Sequence, residues 1–391
     1  MTEQERKVVI ETLQKMISIP SIGPAEGDMA FYLKEIMTKM NFDHVEIDEV
    51  GNVLGKISGS APTKAPLLFD GHIDTMGPST TEWDFDPFGG EIHNNRLYGR
   101  GTSDMKGSLA AALCAAAFLK RDGFKPARDI YLCGSVSEEL VEGAALEPVL
   151  RRLQPETVII GEATNLNLAT GQRGRAEITV ETKGLPTHSS RPDLGINAIR
   201  LMQHILNRVD EIKLPEDKRL GRAILEVTDV KSFPYPGLSM VPDCCKATFD
   251  RRLLTQDTRE RVLYSFQKII EDLKRQVPGF EAEVFISRAE FNTHTGYKID
   301  VEKYAPAWVQ DDQELITKCL SGLSGVGIDA QAITYQFCTN GSYTAGKYEI
   351  STIGFGVGSE EEAHRVNESI AIQELVEGTK GYQALFKLLS T

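Results

Sequence analysis

The sequence predicts an α/β protein, a mixed sheet with helices on both faces, interrupted by an inserted ferredoxin-like α+β domain. Three observations predict it. Apolar runs (Leu67, Leu68 and Phe69; then DIYLCGS and TVIIG) alternate with segments of helical period, as in chains of βαβ units. Near Arg175 the pattern changes to half-polar strands and two amphipathic helices. After about residue 292 the first pattern resumes. The expected domains are therefore 1–175 and 293–391, two parts of one domain, with 176–292 inserted between them. At 391 residues the chain is too long for one ordinary domain.

Taken in order, Val9, Leu13, Met16 and Ile17 recur at helical spacing, as do Met29, Leu33, Ile36, Met37 and Met40, so two helices open the chain. The strand that ends in His72 follows. SLAAALCAAAFLK, after Asp104, is Ala-rich and predicts a buried helix. DIYLCGS and TVIIG read as strands ending near Glu138 and Glu162, and these strands are expected to run parallel. In the insertion, AEITVETKG alternates like a half-exposed strand and NAIRLMQHILNRVDEI is an amphipathic helix. Two strands (RAILEVTDVKS, CKATFDRRLL), a second helix (TRERVLYSFQKIIEDLKRQV) and a last strand (EAEVFISRA) complete a β-α-β-β-α-β order. ELITKCLSGL, TIGFGVG and a final helix return to the first theme.

Hydrophobic content of 41% and charged content of 25% belong to a soluble globular chain. A net charge of −13, without a Lys/Arg block, argues against nucleic acid or an anionic membrane as partner. The charged, amphipathic start is neither a signal peptide nor an anchor. No run approaches the roughly 18 apolar residues of a membrane span. The six cysteines lack a C-x-x-C pair and read as buried free thiols, which points to a reducing cytoplasm.

The chemistry gathers at strand exits. Residues two apart on an extended chain share a side, so His72 and Asp74 can act as a unit. His72 would bind a metal through one ring nitrogen while Asp74 holds the other. Of the adjacent Glu138 and Glu139, one carboxylate can face a metal and the other the water beside it. Glu162 ends the next strand, and His364 follows the last strand and a Gly-rich turn. Asp104 lies in a loop with Gly99, Gly101 and Gly107, where backbone can approach closely. His72, Asp104, Glu139, Glu162 and His364 are thus candidate ligands beyond the carboxyl ends of strands, where open α/β sheets bind. Three carboxylates against two divalent ions leave one positive charge, which a bridging hydroxide cancels. Two His plus carboxylates suit zinc; cobalt or manganese also fits. Asp104 is the expected bridge.

GHIDT, GRGTSDMKG, SEE, the Glu of IGEAT and the late His together resemble the M20 family of co-catalytic zinc peptidases and deacylases, which includes carboxypeptidase G2, acetylornithine deacetylase and succinyl-diaminopimelate desuccinylase. The resemblance runs from about residue 65 to 370. YPGLSMVPD and CTNGSYTAG are similar to the YgeY-type branch. The resemblance implies one metal on His72 and Glu162 and another on Glu139 and His364, with Asp104 shared. It implies Asp74 as the partner of His72, Glu138 as general base, and a cis peptide after Asp104. The implied reaction is amide hydrolysis by a metal-bridging hydroxide, Glu138 passing a proton to the departing amine.

Outside this cluster the readings stay open. His188 precedes a helix, ordinarily the place of a surface His. It resembles the family's oxyanion donor, which in dimeric members reaches the partner subunit's site, so a homodimer through the inserted domain is expected. Arg252 resembles the arginine of an Asp-x-Arg that grips a substrate carboxylate, with Arg251 as competitor and an exposed strand Arg as the plain alternative. Asn340, Gly341 and Ser342 resemble a Gly-rich substrate loop, although TNGS stands where many members have S-G-G-T. The expected substrate is a small N-acyl amino acid or dipeptide. An N-carbamoyl amino acid hydrolase and a non-catalytic metabolite-binding member are the alternatives.

Overall fold

The strand Leu67–His72 is buried from end to end because it has parallel neighbours on both sides. The structure is a computed structural model that describes residues 1–61, 63–79 and 81–391. Leu67–His72 pairs with Ile130–Ser135, placing Phe69 opposite Leu132 and His72 opposite Ser135. On its other side it pairs with Thr157–Ile160, which pairs in parallel with Ser351–Phe355. Antiparallel strands flank this centre: Val53–Ile57 and then His44–Ile47 at one side, Leu168–Gln172 at the other. Ala332–Tyr335 and Trp308–Val309 pair with Leu168–Gln172 and complete a nine-stranded sheet. The strands expected to run parallel do so at the centre, and the antiparallel strands beside them make the sheet mixed, as the sequence predicts. His44–Ile47 and Val53–Ile57 form a hairpin, closed where Asp48 accepts the amides of Val50, Gly51 and Asn52, and a hairpin is antiparallel by construction.

Successive strand residues face opposite sides. On one side the Phe69 ring meets Tyr382 and Phe386 of the last helix, Ile372–Leu389, at 5.3 and 6.3 Å edge to face. On the other side Asp70 accepts from Asn340 Nδ2 at 2.8 Å, where the chain enters the π-helical turn Ser342–Lys347. The Ala-rich helix Lys106–Arg121 is buried at every residue from Lys106 to Leu119, as its sequence requires. No helix among the described residues is long and apolar enough to cross a membrane.

The chain forms two compact units: 1–172 with 290–300 and 308–391, and 173–289 with 301–307. In the second, Ile224–Phe233, Cys244–Leu253, Gly174–Lys183 and Ala282–Ile286 lie in that order in an antiparallel sheet. The helices Ala198–Val209 and Arg259–Gln276 pack on it through Met202, Ile205, Phe266 and Ile270 against Ile178, Val180 and Phe249. This is the ferredoxin-like order expected from the sequence.

Candidate metal centre

The four central strands run parallel, so their carboxyl ends lie along one edge of the first unit. His72, Glu138, Glu139, Glu162 and the Gly-rich turn before His364 all follow these ends, and the loop holding Asp104 comes to the same place. His72 Nε2 lies 3.0 Å from Asp104 Oδ1 and 3.5 Å from Glu162 Oε1. His364 Nε2 lies 3.1 Å from Asp104 Oδ2 and 3.0 Å from Glu139 Oε1. Two ligand groups result, His72–Asp104–Glu162 and Asp104–Glu139–His364, the donor atoms of each lying within 4.8 Å of one another. Asp104 gives one oxygen to each histidine. The Asp104–Met105 peptide is cis.

The charges are those of a cation site. Burial opposes a charged His72, yet Glu162, Asp104 and Asp74 outweigh it and hold the ring well above its ordinary pKa. Hydrogen bonds to Asp104 and Glu139 push His364 up to about 10. Burial drives Glu138 and Glu162 well above the usual carboxylate range, with His72 opposing and neighbouring carboxylates adding to it. Glu138 Oε1 and Glu162 Oε2 are buried without a hydrogen-bond partner. Orphaned oxygens in a crowd of carboxylates, with imidazole nitrogens turned the same way, are a donor set for zinc, cobalt or manganese. The residues fit the two ions that the sequence implies.

Buried side chains hold these groups in place: Asp74, and Glu26 and Glu368, which sequence reasoning did not single out. His72 Nδ1 donates to the main-chain carbonyl of Asp74 at 2.8 Å. The Asp74 carboxylate stands 3.5 Å from the ring and accepts instead the amides of Glu138 (3.1 Å) and Glu139 (3.0 Å). Ser137, just before them, has a left-handed backbone (φ 57°). Its amide and hydroxyl both reach Glu26 Oε1, at 3.0 and 3.1 Å. Burial and Asp74 raise Glu26 to about 7. Glu368 does the same for the Asp104 loop, accepting the amides of Gly101, Ser103 and Asp104 and the Arg100 guanidinium. Glu26 and Glu368 carry no pattern that a motif search would catch.

The remaining expected residues are placed as follows. Asn340 is buried and donates to Asp70 and to Ser135 Oγ, its Oδ1 having no partner. Ser342 accepts from Gln172 Nε2 at 2.9 Å. A Cβ on Gly341 would meet the Trp308 indole at 2.5 Å, so the turn tolerates no side chain there. His188 and Arg252 belong to the second unit. His188 is exposed, with Ser190 Oγ 2.8 Å from its Nδ1. Arg252 is half-buried and paired with Asp250 at 2.9 Å, whereas Arg251, on the opposite face of the strand, is buried against Asp257.

Residues 68–388 match the profile of Peptidase family M20/M25/M40. The chain belongs to that family. An M20 chain is thus what brings the two ligand groups together. It is 34% identical over 383 residues to the uncharacterized protein YgeY of Escherichia coli, covering 95% of this chain and 92% of that one. It is 28% identical over 297 residues to a succinyl-diaminopimelate desuccinylase of Sphingopyxis alaskensis, covering 71% and 77%. Among solved structures, the fold resembles the dipeptidase Dug1p of Saccharomyces cerevisiae, with a TM-score of 0.76 and 17% identity over 99% of this chain and 97% of that one. These M20 relatives make the chain a metallohydrolase of peptidase or deacylase type.

Proposed function

We propose that the chain hydrolyses the amide bond of a small N-acyl amino acid or dipeptide, using two divalent metal ions held by His72, Asp104, Glu139, Glu162 and His364. The observation that carries this reading is Asp104, whose two oxygens serve two separate ligand groups. Bound ions would supply Lewis acidity, polarising the scissile carbonyl and making water acidic enough to ionise near neutral pH. Glu138 is the proton carrier: its carboxylate belongs to neither ligand group, and its Oε1 has no donor to satisfy. It takes a proton from the attacking water and delivers it to the departing nitrogen, so that water and amide become carboxylate and amine. Asp74 orients Glu138 through its amide. Arg252 would hold the substrate carboxylate, His188 would polarise the carbonyl, and Asn340, Gly341 and Ser342 would shape the substrate loop.

The assembly we propose is a homodimer through the second unit. Its Ile224–Phe233 strand ends the sheet order there and exposes Ile224, Val227 and Val230. The compartment we propose is the cytoplasm, in keeping with six free cysteines. A panel of N-acetyl, N-succinyl, N-carbamoyl and dipeptide substrates, on zinc-, cobalt- and manganese-loaded protein, tests the reaction. Turnover of an N-acyl amino acid or dipeptide only when metal is bound supports it. Ammonia release from a carbamoyl substrate alone moves the assignment to a carbamoyl hydrolase. No turnover of any amide by fully loaded protein rejects it.

A further inference from the structure

The second unit holds a cavity that the proposed reaction does not use. In the strand Cys244–Leu253 the buried row is Cys245, Ala247, Phe249, Arg251 and Leu253. Four of these fit an apolar core. The other is Arg251, a residue only 6% exposed. Its Nη2 lies 3.3 and 3.2 Å from the two Asp257 oxygens, while its Nη1 has no partner. Arg251 lines a cavity of about 650 Å³ whose other walls include Ile178, Leu225 and Phe266, with Lys213 and Arg261 also lining it.

A structural staple explains part of this. Asp257 joins Arg251 to the turn before the Arg259–Gln276 helix, accepting also the Leu254 amide at 3.0 Å. A staple does not account for Nη1, since a buried donor left unpaired is costly. Nor does it account for the cavity the side chain lines. Burial holds the Arg251 guanidinium below its ordinary pKa, with Asp257 acting against it, so the chain alone does not fully match the charge.

We propose that this cavity binds a small monocarboxylate with an apolar body, the carboxylate taken by the Arg251 guanidinium and the body set against Leu225, Ile212 and Tyr264. A guanidinium matches a carboxylate in charge and fork geometry. The cavity has the size and the mainly apolar walls of a small-ligand site. Three cations line it against the two acids Asp257 and Glu260, which disfavours an ammonium ligand. Every lining residue lies in the second unit, and none of them is among the residues proposed to hold metal or substrate.

Calorimetric titration of the whole metal-loaded protein with phenylacetate, and with its uncharged analogue phenylacetamide, tests the proposal. Phenylacetate is expected to bind saturably and at least about 10-fold more tightly than the amide, the margin of one charge-assisted pair. Because Arg251 also staples Asp257, the deciding variant is Ser265→Trp, which fills the cavity from the helix side and leaves the ion pair and the hydrolytic activity intact. It should lose phenylacetate binding at least about 10-fold, as should Arg251→Lys. His72→Ala should bind as wild type does. The proposal is overturned if phenylacetate shows no saturable heat, if the amide binds equally well, if Ser265→Trp binds undiminished, or if His72→Ala abolishes binding, which would put the probe at the metal centre.

Discussion

His72 Nδ1 donates to the main-chain carbonyl of Asp74 at 2.8 Å, while the Asp74 carboxylate stands 3.5 Å from the same nitrogen. One residue thus does two jobs. Its backbone fixes the ring's tautomer and leaves Nε2 turned toward Asp104 and Glu162. Its carboxylate, with both oxygens engaged by the amides of Glu138 and Glu139, sets the two glutamates.

Asp74→Asn separates the jobs. The amide side chain offers one acceptor oxygen in place of two, so one glutamate amide loses its partner while His72 keeps its carbonyl. The expected result is a kcat lowered about 10- to 100-fold with metal content unchanged. Elemental analysis beside steady-state kinetics checks it. Metal loss at constant activity per bound ion would instead assign the carboxylate to His72.

Glu138→Gln removes the proton carrier and little else, because the backbone amide that bonds Asp74 remains. Turnover should fall about 100- to 10,000-fold, the usual contribution of a positioned acid–base group, with metal stoichiometry and melting temperature near wild type. Near-normal turnover in this variant would falsify the assignment.

The strand-exit residues were legible because their spacing is local. His72 and Asp74 sit two apart, Glu138 and Glu139 are adjacent, and each pair follows an apolar run that could only be a buried strand. The supports were not legible. Glu26 meets Ser137 from 111 residues away, and Glu368 meets Ser103 from 265. A carboxylate that accepts backbone amides leaves no side-chain pattern in its partners, since every residue but proline has the same N–H. Which strands of the predicted mixed sheet are antiparallel escaped for a related reason. A sheet's centre announces itself by apolar runs, but its edges read like any half-buried strand.

Glu26 gives the test of such a support. Glu26→Leu leaves the buried Ser137 amide and hydroxyl without an acceptor, which costs about 1–3 kcal/mol of stability. It also releases the left-handed Ser137 backbone that aims Glu138. Glu26→Gln keeps an acceptor oxygen. The expected pattern is a lower melting temperature and a lower kcat in Glu26→Leu, largely restored in Glu26→Gln, with KM changing less than kcat. Equal activity in the two variants would remove Glu26 from the positioning of Glu138.

A pH-dependent contribution to stability is expected from the second unit. Arg259 donates to both oxygens of Glu302 at 2.7 Å, and these hydrogen bonds hold the Glu302 carboxyl below its ordinary value of 4.5. Below 4.5 the unfolded chain takes up the proton before the folded one does, so stability falls as pH falls through the folded pKa. Above 4.5 the contribution is fully present. The melting-temperature gap between wild type and Glu302→Gln should therefore be constant at neutral pH, close as the solution is acidified below 4.5, and shrink in high salt. A gap that persists in acid would mean that the loss comes from packing rather than charge.

The cysteines predict their own reactivity. Burial raises the thiols of Cys114 and Cys319 to about 12 and that of Cys245 to about 11, and raises Cys133 well above its ordinary value. Cys338 is buried as well, leaving Cys244 as the half-buried one of the six. Thiolate is the reactive form, so a thiol reagent such as Ellman's should label Cys244 first in the native protein, slowly because its own thiol is also raised by burial. All six should react after denaturation. Fast labelling of more than one thiol in the native state would show that the interior around these residues opens far more readily than its packing implies.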